Sequence, residues 1–125
     1  YRYKNIPAFW SRDSGVKSPI VAENVTEIVQ SFFVRSKLGL QSAQLICNPI
    51  PDAYEISAKE IEPLIKKSIR IAKEKEIKGK EITPFLLSQI LKITGGRSLK
   101  ANKALLFNNI DLATKIAKSL RDKRC

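Results

Sequence analysis

A chain of 125 residues, 43% apolar and 28% charged, has the size and composition of one globular domain. Twenty-three Lys and Arg against twelve Asp and Glu leave a formal charge of +11, which attracts anions in general. The absence of histidine excludes Ser-His-Asp, Cys-His and His-ligated metal schemes, and no apolar run approaches the ~18 residues of a membrane span.

Two cysteines make no disulfide framework: Cys47 sits in an apolar run and Cys125 is the last residue. A reducing, cytoplasmic compartment is expected. The chain has no methionine and opens on Tyr1, which is too large for routine removal of an initiator Met. It therefore reads as a piece of a longer polypeptide or a processed product.

In chain order, Ile6 to Trp10 is a short apolar stretch expected to form a brief strand before a loop carrying Ser11-Arg12-Asp13-Ser14. Asn24 with Glu27 is a capping box, and Val25, Ile28, Val29 and Phe32 give the helix behind it an apolar stripe that ends at Gly39. Gln44-Leu45-Ile46-Cys47 reads as a buried strand running into the stiff turn Asn48-Pro49-Ile50-Pro51. Ser57 and Glu60 open a second capping box, with Ile61, Ile65, Ile69 and Ala72 as the apolar face. Pro63 lies too far inside for the tolerated first turn, so this helix should start late or kink.

Thr83-Pro84 is an N-cap followed by a first-position proline, with Leu86, Leu87, Ile90 and Leu91 behind it and Gly95-Gly96 as the stop. Ser98 should cap a last, longest helix whose apolar face is Leu99, Leu106, Ile110, Ala113, Ala117 and Leu120. Its basic end carries Lys115, Lys118, Arg121, Lys123 and Arg124. These charges have no interleaved aromatics, so solvated helix faces explain them better than a nucleic-acid surface.

Four helices and at most two short strands make a partial α/β layer. A strand apolar on both faces needs hydrogen-bonded neighbours on both sides, and this chain has too few. The expected fold class is α/β, a partial α/β/α layered fold that is mostly helical here, with one or two short strands of a sheet completed by residues outside the chain.

Asn102 and Asn109, seven apart, both fall on the stripe expected to face the core. A buried amide is costly without partners, and the plainer reading is a core Asn that ties a neighbouring loop. Asn102 also lies in the first turn after Gly95-Gly96-Arg97-Ser98, where a helix start with close backbone approach suits an anion. Asn48, directly after the expected strand, is placed for a pocket wall or for mere punctuation of the turn. No P-loop, metal-ligand cluster or paired-carboxylate pattern is present.

At these same residues the chain resembles the indigoidine synthase A-like family, the pseudouridine-5'-phosphate glycosidases. The matching stretches are Pro7-Ala8-Phe9-Trp10-Ser11-Arg12, Asn48-Pro49-Ile50-Pro51, Gly79-Lys80, Thr83-Pro84-Phe85-Leu86-Leu87, the run Thr94 to Asn102, and Leu105 to Asn109. The resemblance covers nearly the whole chain. It implies that residues 1–125 are the C-terminal portion of a single glycosidase domain. The implied reaction is the reversible cleavage of the C–C glycosidic bond of pseudouridine 5'-phosphate to uracil and ribose 5-phosphate, a lyase or glycosidase step in nucleoside catabolism.

The family's imine-forming lysine, general-acid glutamate and metal-binding aspartate belong to motifs N-terminal to the matched region. The resemblance therefore implies no catalytic residue in this chain and a divalent metal, manganese, held outside it. Asn102 is the substrate-binding residue carried over. Asn48, Thr83, Gly95, Gly96, Ser98 and Asn109 are the accompanying pocket-wall candidates. A cytoplasmic homotrimer without membrane or nucleic-acid partners is implied for the whole protein. The alternatives are a basic nucleic-acid-binding module and a catalytically dead scaffold paralogue.

Overall fold

The computed structural model describes residues 1–123; Arg124 and Cys125, and the part of the basic tail that falls on Arg124, lie outside the described residues. Four α-helices follow one another: α1 (Val25–Lys37), α2 (Ala58–Glu74), α3 (Ile82–Ile93) and α4 (Arg97–Asp122). Short 3-10 turns at Asp52–Tyr54 and Gly79–Glu81 precede α2 and α3.

Both N-cap bonds form, but only the first pair is reciprocal. Asn24 Oδ1 accepts the Glu27 N–H at 2.9 Å, while the Glu27 carboxylate reaches back to the Glu23 N–H at 2.9 Å. Ser57 Oγ accepts the Glu60 N–H at 3.3 Å. The Glu60 carboxylate pairs with Arg97 at the start of α4 instead of returning to the cap. At the far end of α1, Gly39 adopts φ 70° and the Leu40 N–H closes on the Arg35 carbonyl at 3.0 Å, a glycine stop of the Schellman type.

Four expectations about the helices are corrected. Helix α2 runs unbroken from Ala58 through Pro63. The missing Pro63 N–H would have served the Lys59 carbonyl, and both residues lie on the exposed side, where a carbonyl left free by proline is not shut off from solvent. Thr83 is not the cap of α3: a 3-10 turn leads straight into the helix at Ile82, and Pro84 takes its third position, whose N–H has no intrahelical partner in any case. Ser98 does not cap α4 but is its buried second residue, because Gly96 at φ 88° already serves as the cap residue.

The fourth correction concerns which face of α4 is inside. Ser98, Ala101 and Leu112 are buried and Leu105 packs on the core, whereas Leu99, Leu106 and Ile110 lie outward with Phe107. The small side chains of Ser98 and Ala101 let α4 approach the rest of the chain. Among the described residues nothing covers Leu99, Leu106, Phe107 and Ile110, which are all about half exposed or more. Asn102 and Asn109 lie accordingly at the rim: the first is half-buried and the second exposed.

No strand forms among the described residues. The segment 44–47 has no hydrogen-bonded neighbour strand, and Leu45 is 88% exposed. A strand is held by its neighbours, and this chain supplies none there. The expected strand at Ile6–Trp10 is also absent. Residues 2–22 instead form an arch pinned by a single antiparallel bridge between Asn5 and Lys17. Within it the Ile6 N–H meets the Val16 carbonyl at 2.7 Å, and the Ser18 N–H meets that of Lys4 at 2.9 Å.

The main core gathers Trp10, Ile50, Ile56, Ile61, Ile90 and Ala101, where the arch, the proline turn and helices α2, α3 and α4 converge. A second contact packs α1 on α4, with Ile28 and Val29 buried on one and Leu112 on the other. The molecule exposes 9035 Å² of surface. A compact monomer of its 14.1 kDa mass would expose roughly 6,700 Å².

Candidate functional site

Asn102 stands on the second turn of α4, next to the buried Ala101. Its Oδ1 is buried and has no hydrogen-bond partner among the described residues, a state it shares with the indole Nε1 of Trp10. Such unsatisfied groups are uncommon in folded proteins and call for a partner.

The turn leading into α4 is tight. Gly95 and Gly96 both have positive φ, 56° and 88°. An added Cβ at either would meet nothing within 4 Å, so backbone conformation rather than crowding requires glycine there. The first N–H groups of α4 are already engaged: Arg97 on the Thr94 carbonyl at 3.1 Å, Leu99 and Lys100 on that of Gly96 at 3.2 Å. The Ser98 N–H bonds Thr94 Oγ1 at 3.2 Å. This helix start is closed by its own chain and offers no set of free donors for an anion, contrary to the expectation drawn from the glycine pair.

Asn48 and Asn109 are brought together. Asn48 Nδ2 donates to Asn109 Oδ1 at 3.1 Å and to the Asn108 carbonyl at 3.3 Å. In return Asn108 Nδ2 donates to the Pro49 carbonyl at 2.9 Å. Asn109 lies seven residues from Asn102, about 10 Å along the axis on nearly the same face. Thr83 is separated from the glycine turn by the length of α3, about 18 Å, and the structure does not gather it with the others.

Arg12 carries a role that no spacing in the sequence signalled. Its Nη1 pairs with Asp52 at 2.7 Å and donates to the Ile50 carbonyl at 3.2 Å, and its backbone N–H meets Glu55 at 2.8 Å. The guanidinium lies 5.0 Å from the centre of the Tyr3 ring. It ties the arch to the proline turn with its charge already used. Asn108 was likewise missed as a contact; only the Asn108-Asn109 pair in the matched block hinted at it.

A cavity of about 430 Å³ lies elsewhere, between the arch, α1 and the segment 44–47. Its walls include Ile6, Ile20, Ile28, Leu45 and Cys47, and none of the predicted site residues. The Arg35 head at its rim is engaged by Ser42 through both the carbonyl and Oγ, each at 2.7 Å. Among the described residues no group of three or more His, Cys, Asp or Glu side chains lies together to hold a metal. No described helix is long and apolar enough to cross a membrane.

The chain is 45% identical over 114 residues to the pseudouridine-5'-phosphate glycosidase of Jannaschia sp. strain CCS1, a match covering 91% of this chain and 38% of that protein. The enzyme of the same name from Petrotoga mobilis is 45% identical over 118 residues, covering 94% and 39%. The chain thus spans about two-fifths of the length of the curated relatives it matches. Among solved structures, an indigoidine synthase A-like protein of Thermotoga maritima superposes with a TM-score of 0.83 at 40% identity, covering 98% of this chain and 39% of its own. A prealnumycin C-glycosynthase in complex with ribulose 5-phosphate shares the fold at a TM-score of 0.88 with 18% identity, over 99% of this chain and 41% of its own. The family model described as indigoidine synthase A like protein matches residues 1–119. This chain belongs to the indigoidine synthase A-like family.

Proposed function

We propose that these residues are the C-terminal part of a single glycosidase domain that reversibly cleaves the C–C glycosidic bond of pseudouridine 5'-phosphate to uracil and ribose 5-phosphate. In this reading the chain supplies helices, one strand of a sheet completed by other residues, and one wall of the pocket. It holds none of the catalytic groups and is inactive by itself. The relatives' names support the reaction. The observation that carries the assignment to this chain is the buried, unpartnered Oδ1 of Asn102.

A side-chain amide offers both an acceptor and donors, which suits the edge of a uracil ring. Held in place before the reaction, it also stabilises charge developing on the departing base. The imine-forming lysine and the general acid come from elsewhere in the polypeptide. A divalent metal, manganese, is likewise held by residues outside this chain. The outward stripe of α4 and the 430 Å³ cavity are covered by that same remaining polypeptide or by further subunits of a cytoplasmic homotrimer.

The test is turnover of pseudouridine 5'-phosphate by the complete polypeptide carrying these residues, with and without Asn102→Ala. Activity is expected, and the substitution should lower it by about tenfold or more. Unchanged kinetics would remove Asn102 from the site; turnover by residues 1–125 alone would overturn the placement of the catalytic groups.

A further inference from the structure

We infer that Asn48, Asn108 and Asn109 form a clasp that sets the axial and rotational register of α4 and so aims Asn102; this rests on the reading of Asn102 given above. The two segments, some 60 positions apart in sequence, exchange hydrogen bonds in both directions. Asn108 Nδ2 reaches the Pro49 carbonyl, and Asn48 Nδ2 reaches the Asn108 carbonyl and Asn109 Oδ1. Two of the three acceptors are backbone carbonyls, which fixes which end of the Asn108 and Asn48 amides carries the NH2.

The post to which α4 is fastened is stiff. Pro49 and Pro51 each lock a φ angle, and Pro49 and Ile50 are buried. Arg12 holds the Ile50 carbonyl from the other side at 3.2 Å. Asn108 belongs to the inward row with Ala101, seven residues earlier, and Asn109 to the row of Asn102. A slip of one residue along α4 turns it by about 100° and carries Asn102 off its direction. Leu99, Leu106, Phe107 and Ile110 of this helix face outward while Leu105 and Leu112 pack inward, so packing within the chain resists such a slip weakly, and the clasp supplies the missing constraint. All three asparagines act through α4: they are positioning residues, not catalytic ones.

The experiment is a double-mutant cycle in the complete polypeptide, read as kcat/KM for pseudouridine 5'-phosphate. Asn108→Ala should lower it about tenfold with Asn102 present and less than about twofold in the Asn102→Ala background, because positioning is lost only where there is something to position. Asn109→Asp, which keeps an acceptor for Asn48, should lose less than Asn109→Leu. This second pair carries the test, in the same two backgrounds, if Asn108→Ala does not fold. Equal losses in both backgrounds would mark the clasp as general scaffolding and overturn the inference, as would no loss at all. Failure of the unsubstituted polypeptide to turn over the substrate would instead overturn the proposed reaction, and this inference with it.

Discussion

Around Trp10, the residues Ile50, Ile56, Ile61 and Ile90 close into a core with almost no exposed surface. Across the molecule, Ile20, Leu45, Leu106 and Phe107 have equally apolar side chains and lie largely open. Residue type does not separate the two groups. The first group has partners within the chain: the arch, the proline turn and three helices meet there. The second group lines the cavity beside α1 or the outer face of α4, where the chain brings nothing opposite. In the proposed reading, the remaining polypeptide covers these faces.

The largest effect should come from the closed region. Ile90 is 1% exposed, and Ile90→Ala should cost about 2–5 kcal/mol in chemical denaturation, the range for deleting a well-packed core side chain. A loss below about 1 kcal/mol would mean that the core lies elsewhere.

The open region gives the sharper contrast. Leu106 is 58% exposed in this chain, and an exposed leucine normally changes stability by less than about 0.5 kcal/mol when shortened. In the complete polypeptide, Leu106→Ala is expected to cost about 1–3 kcal/mol, as if buried, because the remaining chain covers the stripe. A change within the smaller range would identify the outer face of α4 as free surface and break the contrast.

What the sequence made legible follows the same division. Capping signals act over three or four residues, so Asn24-Glu27, Ser57-Glu60, Gly39 and Gly95-Gly96 marked their helix ends without knowledge of the fold. The α3 face with Ile90 was also read correctly, since its partners lie within the chain. The inward face of α4 was misread because periodicity identifies an apolar stripe without saying which polypeptide covers it. Small residues such as Ser98 and Ala101 carried the contact. The expected strand at 44–47 is not formed for a related reason: no neighbour strand for it lies among the described residues. In the site, Asn102 was legible only as an amide on the expected inner stripe, read most plainly as a tie to a neighbouring loop; its Oδ1 in fact has no partner among the described residues. The pairing of Asn48 with Asn108 and Asn109, and the ties of Arg12, depend on long-range approach that no local pattern encodes.

The smallest expected effect is electrostatic and confined to the arch. Asp13 accepts the Gly15 N–H at 2.7 Å and the Asn5 side-chain amide at 2.8 Å. Both bonds favour the charged carboxylate, and they hold its pKa below the ordinary 3.8. In the unfolded chain these bonds are absent, so between the two pKa values the unfolded state binds more protons and stability rises with pH. The contribution is complete above 3.8 and fades as pH falls through the lowered folded value. Because Asp13 is fully exposed, the consequence is local: the Asn5–Lys17 bridge should loosen in acid while the core around Trp10 persists. A carboxyl-carbon NMR titration should place the Asp13 midpoint under 3.8, and Asn5→Ala should move it upward. A midpoint at or above the ordinary value would show that the arch does not hold this geometry in solution.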